Sequence, residues 1–331
     1  MKIALLFGGR GSERAVSRLS AKAVYPRLLS LGHEVLPVFI DRAGAFFKTD
    51  GIPEEKFPSE AQPLSLVLRE GTLLFAGGNT RFAPDLAFSL VHGQDGEDGA
   101  WQGLFTLSRT PFVGAGVTAS AVGMNKRIAK ELAHLHGVPI VPYLSVKNAD
   151  EATLAKVNQV FSFPLFVKPA VGGSSVGVSR VTRAEALAPA IKCALAECEE
   201  ALIETAIEGT EIEVAVLERG GVLLLSPPGE IRTQGSFYDY NTKYGEGGAK
   251  FRLPAPLSLW ETAYVKQLAA TVFRLLGCRD LARVDFLRRA DGKIFFNEIN
   301  TLPGFTEESL FPRLFSLIGI DPILFLTEGR A

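Results

Sequence analysis

Residues 283–300, Arg283-Val284-Asp285-Phe286-Leu287-Arg288-Arg289-Ala290-Asp291-Gly292-Lys293-Ile294-Phe295-Phe296-Asn297-Glu298-Ile299-Asn300, read as two apolar β-runs joined at Asp291-Gly292. An Asp-Gly pair between such runs is a strong hairpin signal. With Asp291 and Gly292 as the two central turn residues, opposed positions have numbers that sum to 583. Asp285 then faces Glu298, and Arg283 faces Asn300. The two-residue period of a strand puts all four side chains on one face. Facing carboxylates destabilise a hairpin unless something neutralises them. Two carboxylates beside an amide oxygen therefore predict a cation, and oxygen-only donors suit Mg²⁺ shared with phosphates. A solvated hairpin face is the alternative for this segment alone.

The 331 residues exceed one small core and predict two or three domains. Lys and Arg total 35 against 36 Asp and Glu, so bulk attraction to nucleic acid is not expected, although a local anion site remains compatible. No apolar run approaches the roughly 18 residues that span a bilayer, so no membrane contact is expected. The opening Met1-Lys2-Ile3-Ala4-Leu5-Leu6-Phe7-Gly8-Gly9 reads as a first strand rather than a signal segment, and the expected location is the cytoplasm. Cys193, Cys198 and Cys278 form no disulfide framework and read as small apolar fillers. His134 and His136 point in different directions from a helix and are not expected to be ligands. Most of the 23 phenylalanines read as core, with Phe305, Phe311, Phe315 and Phe325 also candidates for a subunit contact.

Strand and helix patterns alternate over the first 120 or so residues: strand Lys2–Phe7, helix from about Glu13 to Leu31, strand Glu34–Ile40, extended Leu86–Leu90. This predicts an α/β unit with a mostly parallel sheet and a ligand crevice at the carboxyl ends of its strands. The glycine-rich stretches 8–13 and 92–99 both fall there. A second unit begins near Val122, with a helix over Asn125–His136, a strand ending at Lys168-Pro169, and a helix over 184–200. A third begins near Gly209 and carries the hairpin. The predicted divisions are 1–121, 122–208 and 209–331, with 236–250 a lid loop.

The first glycine turn fails the dinucleotide pattern, because position 14 is Arg14. Glu13, opening a helix, is favoured by the helix dipole and could hold an ammonium group; capping by Ser12 and Glu13 is the simpler reading. No Gly-Lys-Ser/Thr phosphate loop occurs. Instead Lys168 precedes Gly172-Gly173-Ser174-Ser175-Val176-Gly177, whose glycines let backbone N–H groups approach phosphate oxygens while the lysine supplies charge. Lys126, in the first turn of the preceding helix, is placed to reach the same anion. Glu204 ends a linking strand suited to a purine edge, and Glu211 suits ribose hydroxyls.

The order of these elements resembles the ATP-grasp superfamily and, more narrowly, the D-alanine–D-alanine ligases, over nearly the whole chain. The carrying motifs are Gly8-Gly9-Arg10-Gly11-Ser12-Glu13-Arg14 with Ser17, the His92–Gly99 stretch, the Lys168–Gly177 stretch, and Glu204 with Glu211. They continue through Phe237-Tyr238-Asp239-Tyr240, Lys243-Tyr244, Arg283 with Asp285, and Glu298 to Gly304. The resemblance implies an α/β chain, α+β in its C-terminal part: an ATP-grasp fold preceded by a Rossmann-like N-terminal domain. It implies ATP-dependent joining of two D-alanines through a D-alanyl phosphate, for cell-wall synthesis, by a homodimer. Lys126, Lys168, Glu204, Ile207 and Glu211 would bind ATP, and Lys243 its γ-phosphate. Asp285, Glu298 and Asn300 would hold two Mg²⁺ ions, with Glu298 bridging and Mn²⁺ a substitute. Glu13 would take the first D-alanine's ammonium beside His92 and Glu97. Arg283 and the Gly304 N–H would contact the reacting carbonyl; Ser309 and Leu310 would help bind the second substrate. Tyr244, linked to Ser174 and Glu13, implies D-alanine rather than D-lactate as acceptor. Asn125 and Ala206 depart from the family pattern.

Three other readings compete: a related ligase with another acceptor, a non-catalytic nucleotide-binding module, and a nicotinamide oxidoreductase. The last fits only the first unit and leaves the hairpin carboxylates unexplained.

Overall fold

The computed structural model describes residues 1–54, 61–232 and 250–330, and in them the strands gather into three sheets. The first unit runs β1 (Lys2–Gly8), α1 (Arg14–Ser30), β2 (Glu34–Ile40), β3 (Phe46–Lys48), β4 (Gln62–Arg69), β5 (Thr72–Gly77), β6 (Thr80–Phe82) and β7 (Leu86–Ser89). β1 is buried from Ile3 to Phe7 and pairs in parallel with β2 and β7, as a strand covered on both faces does. The mostly parallel sheet expected from the sequence holds only for β2-β1-β7. From β2 outward through β6 every pairing is antiparallel. The reason is local: Glu70 and Gly71, at φ 52° and 77°, make a two-residue turn between Arg69 and Thr72, too short for a parallel crossover.

Helices α2 (Ala100–Leu107), α3 (Val117–Met124) and α4 (Lys126–Leu135) lead into the second sheet, whose order is β10-β9-β11-β8. Its elements are β8 (Tyr143–Val146), α5 (Glu151–Val160), β9 (Leu165–Pro169), β10 (Ser179–Val181), α6 (Leu187–Glu197) and β11 (Ala201–Thr205). Asn125, where the family pattern has Asp, caps α4: its side chain accepts from Ile128 N at 3.1 Å. Asn and Asp serve equally well in that role. Lys126 N donates to Ala170 O at 2.8 Å, tying the start of α4 to the glycine-serine loop.

The third sheet comprises β12 (Gly209–Arg219), β13 (Val222–Leu225), β14 (Gly229–Arg232), β15 (Lys250–Arg252), β16 (Leu281–Arg289) and β17 (Ile294–Asn300), with α7 (Leu259–Leu275) on one face. The chain closes with α8 (Leu310–Ser316) and α9 (Pro322–Thr327). These two helices return to the first unit. Phe305, Phe311, Phe315 and Leu326 share one apolar cluster with Ile3, Leu5, Phe7 and Val24, and with Ala215 and Leu217 of β12. Phe305, Phe311 and Phe315 are thus core, not subunit contacts, and Phe325 is only partly buried. Cys193 is exposed, so the filler reading fails there; Cys278 is a packed thiol that burial pushes up to about 12. Among the described residues no helix is long and apolar enough to cross a membrane.

Candidate active site

The hairpin forms, and Asp285 faces Glu298 while Arg283 faces Asn300. The expected turn, however, is wrong in detail. Arg289 N donates to Lys293 O at 2.8 Å and Gly292 N to Arg289 O at 2.9 Å, so the loop holds three residues, with Gly292 at φ 85°. That shifts the register by one at Arg288–Ile294, Leu287–Phe295 and Phe286–Phe296. A bulge next to Asp285 and Phe286 restores it. Phe296 and Ile299 both lie in the core, three positions apart, so Asn297 and Glu298 both turn to the other face and line the same cavity. Bulges re-aim side chains in this way beside functional sites.

Across the sheet the acidic row is longer than the hairpin alone suggests. Glu213 of β12 opposes Asp285, which opposes Glu298. Arg283 crosses this row: its Nε and Nη2 fork onto Asp285 at 2.8 and 2.7 Å, and Nε lies 2.9 Å from Glu213 Oε2. Burial opposes a charged guanidinium, but Asp285 and Glu213 outweigh it and raise its pKa well above the usual value. Asn300 sits between Arg283 and Glu97, its oxygen 3.2 Å from Arg283 Nη2 and its nitrogen 3.0 Å from Glu97 Oε2 when the amide is turned to suit both. Three carboxylates and an amide against one arginine form an oxygen-rich, acid-rich wall. The donor chemistry fits a hard divalent cation.

A second cluster is basic. Lys126 and Lys130, four apart on α4, share a face and are both buried. Lys126 Nζ donates to Gly172 O and lies 3.5 Å from Glu298 Oε2. Lys130 Nζ lies 3.1 Å from Glu204 Oε1 and donates to Phe296 O at 3.3 Å. Glu204 Oε2 lies 2.9 Å from Lys168 Nζ, which donates to Asn297 Oδ1 at 3.1 Å. Burial alone would push the Glu204 carboxyl up; the two ammonium groups win and hold it below the ordinary range. Burial pushes Lys130 down to about 8 against the pull of Glu204.

At the carboxyl ends of β1 and β7, Glu13 does not cap α1 with its side chain. It accepts instead from Ser174 Oγ, joining the first unit to the glycine-serine loop. A methyl group on Gly93 would stand 2.5 Å from Glu13 Oε2, and one on Gly173 3.2 Å, so both glycines leave room for this carboxylate. Ser174 and Ser175 hold φ of 51° and 58°, a strained pair in the loop. His92 is buried, with Nδ1 3.0 Å from Leu302 O, Nε2 3.3 Å from Ser20 Oγ, and Glu97 Oε1 3.6 Å away. Burial works against its charged form, yet Glu97, with Glu13, raises its pKa. Ser20 Oγ also accepts from Phe305 N at 3.0 Å, which ties the 302–305 turn to α1.

Two cavities result. The larger, of about 780 Å³, is lined by Glu13, His92, Glu97, Arg283, Asn300, Gly304, Ser309 and Leu310. The smaller, of about 390 Å³, is lined by Lys168, Glu204, Ile207, Glu211 and Asp285. Lys126, Ser174, Glu213 and Glu298 line both, so the cavities meet there. Ser309 folds back, its Oγ accepting from Thr306 N at 3.1 Å, and Leu310 belongs to the core as well as the cavity wall. Of the expected lid loop 236–250, residues 236–249, with Lys243 and Tyr244, lie outside the described residues, and Lys250 opens β15 instead. Glu213, Asn297 and Lys130 were not anticipated from the sequence. Lys130 was readable from its four-residue spacing to Lys126, and Asn297 from the three-residue gap between Phe296 and Ile299.

Residues 2–115 match the family model described as D-ala D-ala ligase N-terminus, and residues 132–327 the one described as D-ala D-ala ligase C-terminus. A D-alanine–D-alanine ligase of Corynebacterium glutamicum (strain R) is 39% identical over 336 residues, 97% of this chain and 93% of the relative. Among solved structures, the VanG D-Ala:D-Ser ligase from Enterococcus faecalis matches with TM-score 0.88 at 32% identity, covering 98% of this chain and 97% of that one. D-alanyl-alanine synthetase A from Vibrio cholerae matches with TM-score 0.87 at 32% identity, covering 98% and 96%.

Proposed function

The chain belongs to the D-alanine–D-alanine ligase family, and from that premise we propose how its own residues divide the reaction. Its fold is the mixed α/β ATP-grasp fold, and its activity is ATP-dependent ligation of D-alanine to D-alanine, which feeds peptidoglycan synthesis. The residue-level reading rests on one observation above all. The acid-lined cavity and the lysine-lined cavity touch at Lys126, Ser174 and Glu298. A phosphoryl group held at that junction is within reach of substrates on both sides.

In this reading ATP occupies the smaller cavity, with Lys126 and Lys168 on its phosphates and Glu204, Ile207 and Glu211 around its nucleoside. D-alanine occupies the larger, its ammonium on Glu13 beside His92 and Glu97. Its carboxylate oxygen attacks the γ-phosphorus, ADP leaves, and a D-alanyl phosphate forms. The amine of a second D-alanine, seated near Ser309 and Leu310, attacks the acyl carbon; it gives up a proton and inorganic phosphate leaves. Arg283 and the Gly304 N–H face the oxygen that gains charge at each step, where fixed donors act most strongly. Asp285, Glu298 and Asn300 are the residues to hold Mg²⁺, with Mn²⁺ taking the same oxygen donors. Bound there, the ion would neutralise phosphate oxygens. We assign residues 1–121, 122–208 and 209–331 to three units and propose a homodimer, which sedimentation velocity checks.

The test is ADP release by the purified protein with ATP, Mg²⁺ and D-alanine, with the product identified by mass spectrometry. D-Alanyl-D-alanine is expected, activity lost on chelation of divalent ions, and little product with D-serine or D-lactate as acceptor. An ester or a D-serine product in excess would overturn the acceptor assignment; no ADP release with any D-amino acid would overturn the whole reading.

A further inference from the structure

Lys130, a buried charged side chain behind the two cavities, has no task in the reaction as written. It is fully buried and lines neither cavity. A buried ammonium is costly unless it is paired and hydrogen-bonded. Its two contacts define what it does. One is Glu204 Oε1 at 3.1 Å; the other is the carbonyl of Phe296, the residue immediately before bulged Asn297. Glu204 and Asn297 are also the two partners of Lys168. Lys130 thus holds, from behind, one support of Lys168 directly and the peptide bond that leads into the other.

We propose that Lys130 is a positioning residue that keeps Lys168 available to the nucleotide phosphates. The physical argument is one of charge sharing. With Lys130 absent, Glu204 has Lys168 as its remaining close cation, and the two form a closed buried pair whose charges cancel. An anionic phosphate then finds little net field at Lys168 and must compete with a carboxylate for its protons. With Lys130 present, two cations share one carboxylate, and the cluster carries a surplus positive charge that faces the cavity only at Lys168. The bond to Phe296 O meanwhile fixes the strand just ahead of Asn297, so the amide oxygen stays on Lys168.

This inference rests on the nucleotide site assigned above, and the experiment separates the two. Wild type, Lys130→Met, Glu204→Gln and the double variant are compared in ADP release, with ATP and D-alanine varied independently. Lys130→Met keeps the side-chain length and is expected to raise the KM for ATP by about 10-fold or more, the range of a lost charge-assisted contact. The KM for D-alanine is expected to stay within about twofold, since Lys130 touches none of that cavity. The discriminating result is the double variant. If Lys130 acts through Glu204, then Lys130→Met adds little to the loss already caused by Glu204→Gln. A role as mere core filling predicts that the two losses multiply, and that result overturns the proposal. So does an unchanged KM for ATP in Lys130→Met, or an equal rise for both substrates. If Lys130→Met does not fold, as judged by thermal melting, the same cycle is run with Lys130→Gln, which retains a donor for Phe296 O. Failure of wild type to turn over ATP with D-alanine would instead refute the nucleotide site.

Discussion

Arg283 is placed so that one side chain would serve stability and, in the function proposed, chemistry. Its guanidinium neutralises Glu213 and Asp285, both buried, and also lines the larger cavity. Arg283→Ala is expected to lower turnover by roughly 10²–10³, the scale of a lost oxyanion donor, with a smaller change in the KM for ATP. It also leaves two buried carboxylates without their cation, a change worth about 3–5 kcal/mol. Urea denaturation checks the second effect, and near-normal stability would mean the carboxylates find another partner. His92 carries a pH prediction. Its pKa is raised in the folded state, so folding favours its charged form. That contribution is full below the ordinary histidine value of about 6.5 and fades as pH rises through the folded value. Glu97→Gln removes its nearest carboxylate. The melting-temperature gap between wild type and Glu97→Gln should be wider at about pH 6 than at about pH 8.5. A gap independent of pH contradicts the assignment. At this scale most of the candidate site was legible, because motif residues announce their chemistry by type. Lys130 was signalled only by its four-residue spacing from Lys126, and Glu213 not at all, since nothing about an isolated charged residue says that the fold will bury it.

Among elements, the β16–β17 hairpin is the most instructive. Its key pairing was anticipated through a turn that does not exist, and two departures of one residue each cancel. Asp-Gly signalled a reversal but not whether the loop holds two residues or three. Asn297 is an insertion relative to a regular hairpin, which makes its removal informative. Deleting Asn297 would place Glu298 directly after Phe296, leaving Glu298 opposite Asp285 and Ile299 in the core. The variant is expected to keep the fold and its D-alanine affinity while raising the KM for ATP several-fold, because Lys168 loses its amide partner. Loss of cooperative thermal unfolding would show that the bulge is needed to build the sheet. The antiparallel half of the first sheet, by contrast, was missed because β3 and β6 are only three residues each, and because Glu70-Gly71, which joins the longer β4 and β5, is not one of the strong hairpin pairs. Strands that short carry too little periodicity to register.

The molecule as a whole is held by a core that ignores sequence order. Phe311 and Phe315 of α8 pack with β1 and β12, and Arg27 of α1 meets Asp321 ahead of α9 at 2.6 Å. Phe311→Ala is expected to destabilise the protein by about 3–5 kcal/mol, with the first unit and the β16–β17 hairpin unfolding together. Equilibrium denaturation followed by far-ultraviolet circular dichroism and by ATP-dependent activity checks this; a loss below about 1 kcal/mol, or two separated transitions, would contradict it. Local patterns could not show this arrangement, since apolar residues near the C-terminus fit an interface as readily as an interior. The closure of that core also bears on how the chain is made. As the chain leaves the ribosome, Ile3, Leu5 and Phe7 emerge long before Phe305, Phe311, Phe315 and Leu326, which complete their packing. Newborn copies therefore carry uncovered greasy surface throughout that interval, and their yield in the cell should be sensitive to chaperone supply.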